Sequence, residues 1–324
     1  MQATRQRGAA ILMAMLTVVL VATLASAMLW QQWRGVEVES AQRTRVQVAW
    51  ILTGALDWAR LILREDARQG GADYLSETWA VPLAPARLST FLAAEGGQAL
   101  VTDDYDTAQA AFLSGQIDDL QARLNVTNLI NNGKLDEPSL AAWQRLFNHL
   151  NLPDTELQTF TQALLRAQDA STQSPAGSAL QPLLPQATAD LWWLGLSEHS
   201  LQVLQPFITV LPVRTPVNLN TAPAEVLLAS VPGLDMASAQ ALVQARASRH
   251  MDTLMDADQL LGKPEIHFDS DAQGVASRFF QVTGRLRMGD VTVQEMSVLQ
   301  RDGMQVKTLN RTRQRLTSAV PTLQ

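Results

Sequence analysis

Two groups of closely spaced aspartates have the residue type and spacing that best suit metal chemistry. The first group is Asp103, Asp104 and Asp106, and the second is Asp269 and Asp271. Both groups lie in turn-like segments, and carboxylate oxygens held close together suit Ca²⁺ better than a transition metal. The spacing does not choose the ligands, so two interpretations stay open. Either group binds Ca²⁺, or the aspartates are solvated charges of surface loops.

Residue patterns typical of catalysis are missing from the sequence. The histidines have no metal-ligand spacing, no serine lies in a G-x-S-x-G elbow, and no glycine-rich phosphate loop is present. Asp118 and Asp119 are adjacent in a predicted strand, so their side chains point to opposite faces and cannot share a proton. The absence of cysteine excludes thiol nucleophiles and thiolate metal sites. We therefore expect a protein that is not an enzyme and requires no cofactor.

Composition excludes two further classes of protein. Of the 324 residues, 47% are apolar and 17% are charged, which favours a folded chain over a disordered one. The formal charge is −6, and the only lysines are Lys134, Lys263 and Lys307. A general nucleic-acid-binding surface is therefore not expected.

An uncharged apolar segment runs from Ala9 to Trp30. As an α-helix these residues span about 33 Å, which matches a bilayer core of roughly 30 Å. Arg5 and Arg7 precede the segment, and the positive-inside tendency places them in the cytoplasm and the rest of the chain across the membrane. The alternative is a secretory signal peptide cleaved after Ala25-Ser26-Ala27.

The residues before this segment, MQATRQRG, form a short basic leader that ends in glycine. This arrangement resembles the leader of type IV prepilins and type II secretion pseudopilins. The resemblance implies that a prepilin peptidase cuts after Gly8 on the cytoplasmic side, that Ala9 becomes the N-terminus, and that the apolar helix is retained. Two positions depart from the family pattern. Ala9 stands where phenylalanine or methionine is common, and Met13 stands where most members carry glutamate.

Four stretches, in order along the chain, carry a more specific resemblance to the K-class minor pseudopilins of type II secretion. They are DWARLILREDAR at 57–68, ADYLSETWA at 72–80, IDDLQARLNVTNLI at 117–130 and VNLNTAPAEVLLASVPGLDMASAQALVQAR at 217–246. The resemblance implies an α+β, type IV pilin-like fold with a long membrane-spanning N-terminal helix, a small antiparallel sheet and a large inserted α-helical domain. Calcium sites occur in this class, so the resemblance favours Ca²⁺ at the aspartate groups.

The resemblance also implies a function and a location. The chain would be a single-pass protein of the bacterial inner membrane, with a cytoplasmic N-terminus and a periplasmic globular domain. It would form the tip of the pseudopilus with minor pseudopilins of the I and J classes and start its assembly for protein export. The major pseudopilin, the inner-membrane assembly platform and the prepilin peptidase are the other expected partners.

The sequence pattern predicts a long helix first, then strands, then helices and finally strands again. This order agrees with a pilin-like fold that has a helical insertion. The last strands are predicted to form a three-stranded meander with turns at Gly289-Asp290 and Asp302-Gly303. The predicted domains are a leader at 1–8, the transmembrane half of the first helix at 9–30, the first part of the pilin-like domain at 31–130, the inserted helical domain at 131–268, the C-terminal strands at 269–313 and a disordered tail at 314–324.

The stretch at 217–246 also resembles the helix-hairpin-helix of DNA-binding and competence proteins. In that motif a glycine-rich turn presents backbone N–H groups to a phosphate. Here Asp235 replaces the second glycine of the turn and places a negative charge where the phosphate would bind. The hairpin stretch follows Asn218, and a weakly similar stretch earlier in the chain follows Asn125, which suggests an internal repeat. We therefore expect packing units that bind no nucleic acid, and the alternative function is a membrane-anchored, competence-like DNA receptor.

Processing at Gly8 is directly testable. We expect the membrane-bound protein to begin at Ala9, because cleavage after Gly8 removes the basic leader and leaves the apolar anchor. Mass spectrometry of the protein extracted from membranes measures this N-terminus. A soluble protein that begins after Ala27 would instead identify the segment as a signal peptide and contradict the pilin interpretation.

Overall fold

The computed structural model describes residues 4–88, 111–172, 182–289 and 291–316. The chain divides into two compact units, Met1–Gly54 and Ala55–Gln324. Helix α1, Thr4–Gln69, runs through the first unit and ends in the second. It contains no proline, and it stops where Gly70 and Gly71 adopt positive φ angles of 67° and 111°. The glycine pair predicts a helix end from the sequence alone, since glycine tolerates positive φ, and the helix ends there.

The N-terminal part of α1 is long and apolar enough to cross a membrane, with a mean hydropathy of 2.4 in its most apolar window. Its side chains are exposed within the first unit, as expected of a surface that meets lipid or neighbouring protein. In the second unit, Leu56, Ala59 and Leu63 recur at helical spacing and are buried. They pack against Trp79 and against the inner face of the sheet.

Six further α-helices and eleven strands follow in the described residues. The helices are α2 Glu137–His149, α3 Asp154–Thr172, α4 Glu198–Leu204, α5 Ala224–Ser230, α6 Met236–Ser248 and α7 Leu254–Leu261. The long strands are β1 Leu83–Arg87, β2 Ala111–Asp119, β9 Phe279–Met288, β10 Val291–Asp302 and β11 Gln305–Leu316. The two-residue strands are β3 Leu124–Asn125, β4 Ile130–Asn131, β5 Lys134–Leu135, β6 Ile208–Thr209, β7 Val217–Asn218 and β8 Gln273–Gly274.

The long strands form one antiparallel sheet in the order β1-β2-β9-β10-β11. Buried and half-buried residues alternate along the second half of β10, which is the period of a strand with one face on a core. The predicted α+β fold with its C-terminal meander is confirmed. The last strand extends to Leu316, so residues 314–316 belong to the sheet and not to a disordered tail. Residues 317–324 lie outside the described residues.

The helical domain is inserted between two neighbouring strands of this sheet. β2 ends at Asp119, β9 begins at Phe279, and Asp119 is the register partner of Phe280. The chain therefore leaves and rejoins the sheet at adjacent positions. The interval between the strands is 120–278, which is wider at both ends than the predicted range of 131–268.

The inserted domain contains two units built on the same plan. In each unit a two-residue strand pairs in parallel with a two-residue strand that follows three α-helices: β3 with β6, and β7 with β8. Asn125 and Asn218 end the first strands of these pairs, and each accepts a hydrogen bond from the backbone N–H two residues later. Arg145 of α2 donates to the Ala229 carbonyl oxygen and so connects the two units. The internal repeat suggested by the sequence thus has a structural counterpart.

Excision of the insertion tests whether the sheet and α1 fold without it. We expect a chain in which residues 120–279 are replaced by about four Gly and Ser residues to keep its sheet, because Asp119 and Phe280 are already side by side. Asp119 should be changed to Asn in this variant, since most of its partners leave with the insertion. Circular dichroism and thermal unfolding in nonionic detergent measure the outcome.

The control for this excision is the Asp119→Asn substitution in the intact chain. A deletion variant that does not unfold cooperatively, beside a control that does, would show that the helices complete the core of the sheet.

Candidate functional site

Seven polar side chains from separate parts of the second unit meet at one place, here named the polar junction. They are Asp66, Asp73, Glu77, Asp119, Asn218, Ser277 and Arg301. α1, the loop after it, the end of β2, the inserted domain and β10 all contribute. Among the described residues, every buried side-chain nitrogen and oxygen has a hydrogen-bond partner. The junction is therefore a saturated polar network inside a folded unit.

Arg301 is the cation of the polar junction. Its guanidinium donates to Asp66, to both carboxylate oxygens of Asp73 at 2.6 and 2.7 Å, and to the Ser277 carbonyl oxygen at 2.7 Å. The guanidinium carbon lies 4.8 Å from the centre of the Phe280 ring. A planar guanidinium can bind several oxygens in fixed directions, which a lysine cannot do. Arg301 thus fixes the end of α1 and the following loop to β10.

Asp119 is the anion that connects the sheet to the inserted domain. Its carboxylate accepts from the Ser277 hydroxyl and the Thr221 hydroxyl at 2.6 Å each, from Asn218 Nδ2 at 3.1 Å and from the Gln121 backbone N–H at 2.7 Å. The side chain is buried, and this burial raises the pKa of Asp119 while the four hydrogen bonds oppose the rise. Its neighbour Asp118 contacts Gln116 instead, so the two carboxylates do not act together.

The polar junction holds three carboxylates near one guanidinium. Oxygens of Asp66, Asp73 and Glu77 lie within 4.8 Å of one another, the only such group of three potential metal ligands among the described residues. Arg301 already forms ion pairs with Asp66 and Asp73, so a metal ion would have to compete with its guanidinium for these carboxylates. The excess of negative charge favours retention of a proton on one carboxylate.

Glu77 is the carboxylate best placed to keep that proton. Its Oε2 accepts from the Tyr74 backbone N–H at 2.9 Å and from Trp79 Nε1 at 2.7 Å, and it does not contact Arg301. Burial, with further contributions from Asp66 and Asp73, raises the pKa of Glu77 to about 7. Burial also raises the pKa of Asp73 to about 6, against the opposing effect of Arg301.

Each of the four sequence stretches that resemble K-class pseudopilins contributes to this one network. The stretch at 57–68 contributes Asp66, that at 72–80 contributes Asp73 and Glu77, that at 117–130 contributes Asp119, and that at 217–246 contributes Asn218. Sequence reasoning did not identify these residues as a site. The sequence feature that could have indicated them is that each of the four stretches, which lie far apart in the chain, combines acidic or amide residues with apolar residues.

The predicted site residues lie elsewhere. Gly8, Ala9 and Met13 lie in the regular helix α1, and the Met13 side chain is 68% exposed within the first unit. Asp269 forms a local turn, in which its Oδ1 accepts from the Asp271 backbone N–H at 3.0 Å. No third acidic or histidine ligand joins this pair among the described residues. The other predicted group, Asp103, Asp104 and Asp106, lies outside the described residues, so Ca²⁺ binding stays a prediction.

In the hairpin at 217–246, polar groups that could face a phosphate make contacts within the chain. Asp235 caps α6, where its carboxylate accepts from the Ser238 backbone N–H at 2.7 Å and lies 3.4 Å from Lys263 Nζ. Hydrogen bonds to Ser238 lower the pKa of Asp235, which keeps it anionic. Arg246 donates inward to the carbonyl oxygens of Leu219 and Ala222. The Ser238 N–H and the Arg246 guanidinium thus already have partners within the chain.

Glu77 predicts a pH dependence of stability. A carboxyl group with a folded-state pKa of about 7, against an ordinary value of 4.5, contributes most below pH 4.5, and this contribution is lost as the pH rises through 7. Glu77→Gln keeps an oxygen that accepts from Tyr74 and Trp79 but cannot ionise. We expect its melting temperature to exceed that of the wild type by about 2 °C at pH 8 and to match it at pH 5.

The matched control is Glu65→Gln, which removes an exposed carboxylate near the end of α1, 3.5 Å from Arg68. It should change the melting temperature little at either pH. Equal differences between wild type and Glu77→Gln at both pH values would contradict a proton held at the polar junction.

Comparison with known proteins gives a consistent result. Two family models described as type II secretion system protein K match residues 122–213 and 217–276. The type II secretion system protein K of Pseudomonas aeruginosa is 27% identical over 91% of this chain and 89% of its own. That of Pectobacterium carotovorum is 26% identical over 95% of this chain and 96% of its own.

A solved structure has the same fold. It is the crystal structure of the GspK-GspI-GspJ complex from the type 2 secretion system of enterotoxigenic Escherichia coli. One of its chains is 17% identical, with a TM-score of 0.62, and the match covers 85% of this chain and 98% of that one. Together with the pilin-like fold and its helical insertion, these matches support the type II secretion system protein K family, the K class of minor pseudopilins, as the family that this chain resembles.

Proposed function

We propose that this chain is a non-enzymatic subunit of the pseudopilus tip, where it joins minor pseudopilins of the I and J classes and starts fibre assembly for protein export. The observation that carries the tip position is the methionine at position 13, where most members of the family that this chain resembles carry glutamate. The related crystal structure is named as a complex of K, I and J subunits, which supports the choice of partners.

The location in this proposal follows from α1. Its apolar N-terminal part anchors the chain in the inner membrane, and Arg5 and Arg7 favour a cytoplasmic N-terminus. The sheet and the inserted domain are then periplasmic. The prepilin peptidase, the assembly platform and the major pseudopilin are the further partners of this pathway.

The argument from Met13 is electrostatic. A carboxylate deep in an apolar membrane helix costs about 2.5 to 3.5 kcal/mol and is tolerated when a fixed cation neutralises it. In pilin fibres the proposed cation is the N-terminal amine of an adjacent subunit. A subunit at the tip has no neighbour above it, so a carboxylate at position 13 would have no partner and would only destabilise the inserted helix. Methionine avoids this cost.

The size of the insertion supports the same position. Residues 120–278 are inserted between one pair of strands, and most of their buried apolar side chains form a cluster distinct from that under the sheet, with a small shared cluster of Leu120, Leu211 and Phe279 between the two. A domain of this size is easiest to accommodate where no further subunit stacks on it. The alternative function, a DNA receptor, is poorly supported because Asp235 and Arg246 make internal contacts in place of phosphate contacts.

Substitution and crosslinking at position 13 test the tip proposal. Met13→Leu should leave secretion unchanged, and Met13→Glu should not improve it, because no amine is available above. A photocrosslinker at position 13 of the full chain in membranes should join no N-terminus on the distal side. A strong crosslink to the N-terminus of a major pseudopilin stacked on that side would place the chain within the shaft and overturn the proposal.

A further inference from the structure

The last strand, β11, is an edge of the five-stranded sheet. It pairs with β10 on one side, and no described strand pairs with its other side. Its register with β10 shifts at Val298/Leu299, and from Asn310 to Leu316 the pairing is regular. This seven-residue segment therefore presents backbone N–H and C=O groups to an incoming strand, except that the Arg311 N–H already donates to Asn310 Oδ1 at 2.7 Å.

The edge strand is basic although the whole chain has a formal charge of −6. β11 carries four basic and no acidic residues: Lys307, Arg311, Arg313 and Arg315. Arg311 and Arg313 both bind the buried carboxylate of Glu295 on β10. Arg315 and Lys307 form no ion pair among the described residues. One carboxylate thus faces three arginines, and an excess of positive charge remains at this edge.

The three arginines point to the same face of the sheet. Arg313 is the register partner of Glu295, Arg311 is that of Ser297, and Arg315 is that of Val293, so their spacing is the two-residue period of a strand. A strand placed next to β11 would therefore offer every second side chain to this row. Cross-strand pairs of opposite charge are favourable, and pairs of like charge are not.

The beginning of β11 is closed to a partner strand by α1. Arg60 donates to the Val306 carbonyl oxygen from Nη2 at 2.8 Å and from Nε at 3.2 Å. Beside this contact lies a groove of about 620 Å³ between α1 and β11, lined in part by Leu61, Arg64 and Met304. Leu61 and Met304 are each 49% exposed. The groove also contains Asp57, which pairs with Arg60, and Lys307, so its lining is mixed, with more basic than acidic side chains.

This charge pattern selects among possible occupants. Basic side chains on an edge strand prevent pairing with a second copy of the same strand, because identical positive rows repel. They do not prevent pairing with an acidic strand, whose carboxylates would neutralise the row. The edge is therefore protected against self-association but open to a partner of opposite charge.

We propose that Asn310–Leu316 binds an extended acidic segment of a partner protein as a sixth strand of the sheet. Main-chain hydrogen bonds along the free edge would hold the segment, and carboxylates at alternate positions would pair with Arg311, Arg313 and Arg315. This surface is independent of the tip position, which rests on Met13.

Short peptides test the proposal on the full chain in nonionic detergent. The probe is a labelled seven-residue peptide with Glu at every second position and Val or Thr between. One control peptide has Pro in place of the Val residues, which keeps the charge but removes main-chain donors, and another has Lys in place of Glu. Fluorescence anisotropy gives the dissociation constants, and hydrogen exchange reports protection of residues 305–316.

We expect the alternating acidic peptide to bind at least about tenfold more tightly than either control and to slow exchange in β11. Equal binding of the proline peptide would show charge attraction alone, as to any polyanion, and would overturn strand addition. Failure of the acidic peptide to bind, or binding without protection of β11, would also overturn the proposal.

A pair of charge reversals locates the effect. Arg315→Glu should weaken binding of the acidic peptide about tenfold and improve binding of the lysine peptide. The matched control is Arg287→Glu on β9, whose side chain is exposed on the opposite face, where it contacts Phe112. This control should leave both affinities unchanged. Equal effects of the two reversals would show that net charge, and not the β11 edge, determines binding.

Discussion

The paired interactions of Arg301 with Asp66 and Asp73 are the constraint on which the second unit depends. These groups lie where little water reaches them, with side chains 10%, 16% and 3% exposed, so each ion must be neutralised inside the fold. Arg301 lies 235 residues after Asp66 and 228 residues after Asp73, so these contacts form only when β10 packs against the end of α1 and the loop after it. Removal of one partner would leave a buried, uncompensated charge, which is strongly unfavourable. The network therefore makes the end of α1, the following loop and β10 mutually dependent.

Asp119 extends the same dependence to the inserted domain. It stands at the last residue of β2, where the chain leaves the sheet, and Ser277 stands where the chain returns. Asn218 of the inserted domain donates to Asp119 and to the carbonyl oxygen of Asp73. The insertion is thus tied to the sheet by hydrogen bonds at both of its ends, which limits its freedom to rotate about the two connecting segments.

The inserted domain shows how a nucleic-acid-binding motif can serve as a packing unit. Val231 and Leu234 of the hairpin turn are buried in the domain core, and Asp235 supplies the helix cap from within the chain. A phosphate would supply the same negative charge from outside. When the protein provides its own anion, the turn no longer needs a ligand, and the repeated unit can build a core instead.

The sequence by itself determined the elements that depend on local periodicity and on single special residues. The apolar helix, its stop at Gly70 and the C-terminal meander could all be predicted, because each depends on residues close together in the chain. The domain limits were predicted less well, since a strand end such as Asp119 is defined by its partner on β9 and not by its own neighbours.

Only the tertiary structure decided which charged residues form a site. Among the aspartates whose spacing suggested a metal site is Asp269, whose carboxylate accepts a hydrogen bond from a backbone N–H of its own turn. The functional-looking cluster joins Asp66, Asp73, Glu77 and Arg301, which lie up to 235 residues apart. Close spacing in the sequence shows which side chains can contact each other within one turn. A buried ion network forms between segments that are distant in the sequence and are brought together by packing, so a local sequence pattern cannot predict it.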